Sequence, residues 1–179
     1  MNKTDAKRQQ LLEKLANHLL AHGLQGASLR PLAAAAGTSD RMLLHYFENK
    51  EELLTATLLV VSTRLQAMLD SVRSQPMPYE ILLPQLAAML KDPNIRPYLR
   101  LWLELAALAA GEDTIYRPIA KKIGEGFFEW IAATVEVATE ERRIPMASLA
   151  LATMEGLVLL DAIGMESNIP AALDALRSR

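Results

Sequence analysis

Cysteine is absent from this 179-residue sequence, which excludes disulfides, thiolate metal ligands and a cysteine nucleophile. Missing too are a glycine-rich phosphate loop, a Gly-x-Ser-x-Gly elbow and any cluster of side chains at metal-ligand spacing. A protein that is not an enzyme, with no cofactor and no metal, is therefore expected. No apolar run approaches the ~20 residues that cross a bilayer. The opening Met1-Asn2-Lys3-Thr4-Asp5 leads into a charged helical pattern rather than a signal peptide. A cytoplasmic location without membrane contact is the expectation. Internal repeats and low-complexity linkers are lacking, and so are strictly alternating stretches rich in β-branched residues. Apolar residues, 51% of the chain, recur instead at helical spacing almost throughout, which predicts an all-α fold with a real core.

Formal charge is close to balanced, at −2, but it is unevenly placed. In residues 1–50, seven bases (Lys3, Lys7, Arg8, Lys14, Arg30, Arg41, Lys50) against four acids leave +3, whereas twelve against seventeen in the remainder leave −5. A basic head on an acidic body suits a protein that presents one end to phosphates. All three histidines also lie in the head. His18 and His22 have the one-turn spacing of paired metal ligands, but no third ligand is evident and Lys14 shares their face, so a solvated helix side is expected there.

Local punctuation divides the chain into about nine helices. The first runs from about Asp5 to His22, with Leu12, Leu15, Ala16, Leu19 and Leu20 on one side and Gly23 as its left-handed end. Ser28 can cap a short second helix with Pro31 in its first turn. After Gly37, Thr38-Ser39 opens a third helix through Phe47, and Asn49 caps a fourth, with Glu52 placed for a capping box. The fourth continues to about Ser74, where Gln75-Pro76-Met77-Pro78 stops it. Later boundaries fall at Asp92-Pro93-Asn94, Gly111-Glu112-Asp113, Arg142-Arg143-Ile144-Pro145 and from Gly164 to Pro170.

Two short helices joined by Gly37-Thr38-Ser39 have the length and turn of a helix-turn-helix, whose second helix enters the major groove of DNA. At about 100° per residue, Leu43 and Phe47 face inward, and Asp40, Arg41, Leu44 and His45 point away to meet DNA. Arg41 can donate two bonds to guanine O6 and N7, or hold a phosphate. Asp40 can accept from cytosine N4 or simply favour the helix start. Thr38 and Ser39 sit where helix-start N–H groups are free, and either cap them or join them in holding a phosphate. Tyr46 and Lys50 at the end of the unit, and Ser28 and Arg30 at the start of its first helix, can bind flanking phosphates or remain solvated.

Over residues 8–54 the sequence resembles the TetR family of bacterial regulators. The likeness rests on Leu11-Leu12-x2-Leu15-Ala16, Gly23, Ser28-Leu29, Leu32-Ala33-x2-Ala36-Gly37-Thr38-Ser39 and, above all, His45-Tyr46-Phe47-Glu48-Asn49-Lys50-Glu51-Glu52-Leu53-Leu54. Family members commonly carry Gly-x-Leu-Tyr before the last block, where this chain has Arg41-Met42-Leu43-Leu44. Leu44 thus replaces a tyrosine that usually touches phosphate, and Arg41 adds a long donor in place of glycine. A variant operator preference is expected from that exchange.

The resemblance implies a helix-turn-helix DNA-binding domain in residues 1–50 and a helical effector-binding and dimerisation domain in residues 51–179. It also implies a homodimeric repressor released from palindromic operator DNA by a small hydrophobic or amphipathic ligand. Patterns beyond residue 51 are compatible. The segment Ile115 to Ala138 carries Ile123, Phe127, Trp130, Ile131, Val135 and Ala138 on one stripe, and Met146 to Ile163 is apolar nearly all round and must be buried. These two segments, residues 115–138 and 146–163, are the expected dimer interface. For the effector, Tyr98, Trp102 and Leu105 supply apolar and aromatic surface on one helix. Glu104 there binds a cationic or hydroxylated ligand or pairs with Arg100 at i,i+4. Tyr116 and Met154 are further candidates. The fourth helix, joining the two domains, is the expected lever.

Overall fold

Glycine in the left-handed region sets the two turns that frame the N-terminal helices. The computed structural model describes residues 3–25, 27–71, 75–111 and 115–177, and among these it is all-α. The helices are α1 (Lys3–His22), α2 (Leu29–Ala36), α3 (Asp40–Tyr46), α4 (Lys50–Ser71), α5 (Tyr79–Met89), α6 (Arg96–Ala109), α7 (Tyr116–Thr134), α8 (Arg143–Ala162) and α9 (Asn168–Arg177). Gly23 ends α1 at φ +78° and Gly37 ends α2 at φ +71°. The Gly37 and Thr38 N–H groups return to Ala34 and Ala33 oxygens at 3.0 and 2.9 Å, satisfying carbonyls the helix leaves free. Ser39 caps α3, its Oγ accepting from Met42 N–H at 3.2 Å. Ser28 precedes α2 in an extended conformation, but its side chain makes no capping bond. Phe47 caps the C-terminus of α3 rather than extending it. Asn49 Oδ1 accepts from Glu52 N–H at 2.8 Å, and Glu52 reaches back one residue further than a capping box, to Glu48 N–H at 2.8 Å.

Two compact units result: Met1–Leu65 with Arg100–Lys121, and Gln66–Leu99 with Lys122–Arg179. The core of the first takes Leu11, Leu12, Leu15, Ala16 and Leu19 from α1, Leu32, Ala33 and Ala36 from α2, Leu43, Phe47, and Leu53, Leu54 and Leu58 from α4. Leu20, expected in that stripe, is half-buried. Ion pairs brace it: Arg8 Nη2 meets Glu52 Oε1 at 2.5 Å, and Arg64 holds the Glu13 carboxylate and Asn17 Oδ1, the latter at 2.8 Å. The Arg64 bond keeps the Glu13 carboxyl below its ordinary range. The second unit centres on Tyr79, Leu82, Leu83, Ile131, Val135, Ala147 and Ala150.

Three expectations need correction. The seventh helix does not reach Ala138. It stops at Thr134, where the β-branched Val135 turns extended and forms a single parallel bridge with Met77: Met77 N–H donates to Thr134 O at 3.0 Å and Glu136 N–H to Met77 O at 2.8 Å. Arg143 Nη1 completes the stop by donating to Ala132 O at 2.8 Å and Val135 O at 3.3 Å, a cation at a helix C-terminus. Second, the single chain does not by itself bury α8: Leu159 is 51% exposed and Ile163, just past its end, 59%, the surface that the expected dimer interface would cover. Third, α4 and the run Glu140–Ala162 are long and apolar enough, by length and composition alone, to cross a membrane. In α4 that apolarity lines the first unit's core, and Glu52 and Arg64 pair with α1. The expected run-on of α4 to Ser74 and the boundary at Glu112-Asp113 lie outside the described residues.

The His18 and His22 rings stack with centroids 4.4 Å apart. Burial first, and then the His22 charge, hold His18 below the ordinary imidazole value of 6.5. The unfolded chain therefore takes up this proton before the folded one does. The stabilisation is complete above the ordinary value and is lost as pH falls through it to the depressed one. Denaturant melts between about pH 7.5 and about pH 5.5 should show stability declining on acidification, with a shallower decline in His18→Gln. An unchanged slope in that variant would remove His18 as the cause.

Candidate nucleic-acid interface

The helix-turn-helix is held from within by one side chain of α3 and by the residue that caps its C-terminus. Leu43 and Phe47 are 0% and 1% exposed, whereas Leu44 is 43% exposed and Asp40, Arg41 and His45 are exposed beside it. The expected division of this helix into an inner and an outer side is thus what the chain adopts. Ser28, Arg30 and Ser39 are exposed, and Thr38, Tyr46 and Lys50 are half-buried. Among the described residues no ion pair engages Arg30, Arg41 or Lys50. His45 and Tyr46 meet edge to face, with ring centroids 5.1 Å apart.

Two basic residues that the sequence did not single out fix this surface. Lys14 Nζ donates to Ala36 O at 3.0 Å, a cation closing the C-terminus of α2 just before the turn. The Arg8 guanidinium carbon lies 4.8 Å from the Phe47 ring centroid while its Nη2 pairs with Glu52. Because Glu52 also accepts from Glu48 N–H, one carboxylate ties α1 to the junction of α3 and α4. Beside it an open groove of about 580 Å³ is lined by Thr4, Ala6, Lys7, Gln10 and Tyr46. Among the described lining residues, the side chains of Thr4, Lys7, Gln10 and Tyr46 can all donate hydrogen bonds and none is a carboxylate, which suits an anion. The basic bias of residues 1–50 was the only hint of it in the sequence.

The effector candidates fall in both units. Trp102, Glu104, Leu105 and Tyr116 belong to the first, Tyr98 and Met154 to the second. Leu105 is 1% exposed, as a core residue would be. Glu104 has its oxygens engaged: Oε2 accepts from Leu24 N–H at 2.6 Å, and Oε1 lies 3.8 Å from Arg100 Nε. Met154 packs against the second unit's core. His18 and His22 bond within their own helix, His22 Nδ1 lying 3.0 Å from His18 O. No group of three or more metal-ligating side chains occurs among the described residues.

Residues 11–57 match the family model described as bacterial regulatory proteins, tetR family. A curated relative, the HTH-type transcriptional regulator PksA of Bacillus subtilis (strain 168), is 29% identical over 115 residues, a match covering 63% of this chain and 56% of that protein. This chain therefore spans little more than half the length of that relative. Among solved structures, a transcriptional regulator from Rhodococcus sp. Rha1 is similar with a TM-score of 0.69 at 27% identity, covering 94% of this chain and 92% of that one. Another from Rhodococcus sp., described as a TetR-family regulator, has a TM-score of 0.70 at 22% identity, covering 94% and 97%, and shows the likeness of fold.

Truncation separates the two sides of α3. Phe47→Ala should cost about 3–5 kcal/mol of folding stability. Leu44→Ala should stay within about 0.5 kcal/mol of the parent protein. Urea titration followed by circular dichroism measures both, and comparable losses would contradict the inward seating of Phe47.

Proposed function

We propose that this chain, which belongs to the TetR family of bacterial regulatory proteins, is a sequence-specific DNA-binding transcriptional regulator that represses from a palindromic operator until a small ligand releases it. The observation that carries the reading is the outer side of α3. A helix seated by Leu43 and Phe47 leaves Arg41, Leu44 and His45 exposed on its outer side, with Lys50 half-buried beyond them. In this reading Arg41 reads a guanine and Asp40 marks the helix start. Ser28, Arg30, Thr38, Ser39, Tyr46 and Lys50 hold phosphates, and Thr4, Lys7 and Gln10 extend that contact along α1. The division of labour places DNA binding in residues 1–50 and sensing and dimerisation in residues 51–179, within the cytoplasm.

A reader of half-sites needs a second copy, and α8 favours one. Among its exposed positions, Pro145, Leu149, Ala152, Gly156 and Leu159, with Ile163 just past its end, follow alternating steps of four and three, a spacing that lets two helices interlock along a seam, while Ile144, Ser148 and Ala162 are exposed beside them. By contrast, the exposed positions of α7 include Arg117, Lys121, Lys122, Glu125 and Glu129. Of the two expected interface segments, 146–163 therefore carries the stronger case. The ligand is hydrophobic or amphipathic, with Trp102, Leu105 and Tyr116 as candidate contacts in the first unit and Tyr98 and Met154 in the second.

Selection from random duplex DNA should enrich a palindrome. On that sequence Arg41→Ala should cost about 1–3 kcal/mol and flatten preference at one base pair per half-site, while Lys50→Ala weakens all duplexes alike and lowers the salt dependence. Equal weakening of every sequence by Arg41→Ala would make Arg41 a phosphate contact. For the dimer, Gly156→Glu is informative because a Cβ at Gly156 meets nothing within 4 Å, so the single subunit tolerates it. Sedimentation should show a dimer for the parent protein and a monomer with unaltered helix content for the variant. A monomeric parent at micromolar concentration, or a variant that still dimerises, would contradict the seam.

A further inference from the structure

Two of the seven residues of α3 present large apolar side chains to solvent: Met42 is 42% and Leu44 43% exposed. Elsewhere in the first unit, among the described residues, only Leu108 on α6 does the same. A lone exposed apolar residue needs no explanation, but this pair brackets the side chains expected to read bases. At about 100° per residue, Leu44 lies beside Arg41, three residues before it, and Met42 beside His45, three residues after it. The outer side of α3 therefore has a polar centre with an apolar flank on each side. The backbone beneath the flanks is fixed. Met42 N–H donates to Ser39 Oγ at 3.2 Å, Leu43 N–H to Ser39 O at 2.9 Å, and the Leu43 side chain is fully buried. Met42 and Leu44 are thus held outward at defined positions on the side where Arg41 and His45 are exposed.

We propose that Leu44 is a specificity residue that recognises the C5-methyl group of a thymine in each operator half-site, an inference that rests on the DNA-binding reading above. Leucine has no polar side-chain atom, so it can hold neither a phosphate nor the hydrogen-bonding edge of a base. Of the groups that base pairs present in the major groove, the thymine methyl is the apolar one. Packing Leu44 against it removes apolar surface of both partners from water, and the free protein leaves that surface exposed. Met42 offers apolar surface too, but as an unbranched, flexible thioether it adapts to many neighbours and discriminates less. Leu44, three residues from Arg41, sets its methyl contact beside the polar contact that Arg41 makes. The two then read neighbouring positions by different chemistry, one by hydrogen bonds and the other by fit to a methyl group.

The experiment replaces each thymine of the duplex enriched by selection, in turn, with deoxyuridine, which keeps every hydrogen-bonding group and lacks only the methyl. Binding is followed by the anisotropy of a labelled duplex at low salt, where a weakened variant still binds. At one thymine per half-site the parent protein should bind the deoxyuridine duplex about fourfold more weakly, the ~0.8 kcal/mol of one buried methyl-sized group. Leu44→Ala should bind the thymine and deoxyuridine duplexes alike. Leu44→Met, which keeps an apolar side chain of similar volume, should retain the preference, and so should Met42→Ala, altered on the opposite flank. A residue that only helped to seat α3 would weaken both duplexes and leave their ratio unchanged. A parent protein that binds the selected duplex but is indifferent to every exchange overturns the proposal and leaves DNA binding in place. So does a Leu44→Ala protein that keeps the preference, or a Met42→Ala protein that loses it at the same thymine. Failure of the parent protein to bind any duplex overturns both readings.

Discussion

A helix of seven residues, the length of α3, has no stability of its own in water, where isolated helices shorter than about 12–15 residues are marginal. Everything that makes α3 a fixed object is supplied by its neighbours, and the seating of Leu43 and Phe47 is the interaction on which the rest depends. Gly37 gives the turn that delivers the chain to it, Ser39 caps it by accepting from Met42 N–H, and Arg8 covers the Phe47 ring while pairing with Glu52 on α4. Rigid seating on one side is what allows the other side to carry exposed polar groups at defined positions. Without it Arg41 and His45 would lie on a fluctuating segment, and ordering them would consume the free energy their contacts could supply.

The same logic extends outward through charged side chains that end on backbone groups. Lys14 closes α2, Arg143 closes α7, and Arg100 closes α1, each cation donating to carbonyls that a helix end leaves free. Such contacts are charge-assisted hydrogen bonds, stronger than bonds between neutral groups, whereas partly exposed ion pairs contribute little on their own. Arg96 with Asp161 at 3.2 Å, more than half exposed on the arginine side, is of that weak kind. The Arg100 and Glu104 pair differs in that both members act on one turn of another helix.

Helix order, the two glycine turns and the inner side of α3 were legible in the sequence because each is set by residues within a turn or two: Gly23, Gly37, Pro31, and the four-residue step from Leu43 to Phe47. The residue block from His45 to Leu54 carried the family resemblance. What periodicity could not give were contacts between residues far apart in the chain. Arg8 meets Glu52 across 44 positions and Arg100 meets Leu20 across 80, and nothing local marks either partner. The bridge of Val135 to Met77 defeated the helical reading of residues 135–138 in the same way, since an extended residue there is stabilised only by a partner from before α5. The apolar character of α8 was legible, but whether apolar surface is covered by the same chain or left exposed depends on tertiary packing. In the single chain Leu149, Leu159 and Ile163 remain exposed.

The central claim is that the outer side of α3 and the turn before it meet DNA while α8 does not. Titrating isotope-labelled protein with a mixed-sequence duplex at low salt and following the backbone amide resonances tests it without knowledge of the operator. The largest shifts should fall on Thr38, Ser39, Arg41, Leu44 and His45, with smaller ones at Arg30 and Lys50, and they should fade as salt is raised because phosphate contacts release counterions. Shifts concentrated along α8, or none that respond to duplex, would contradict it.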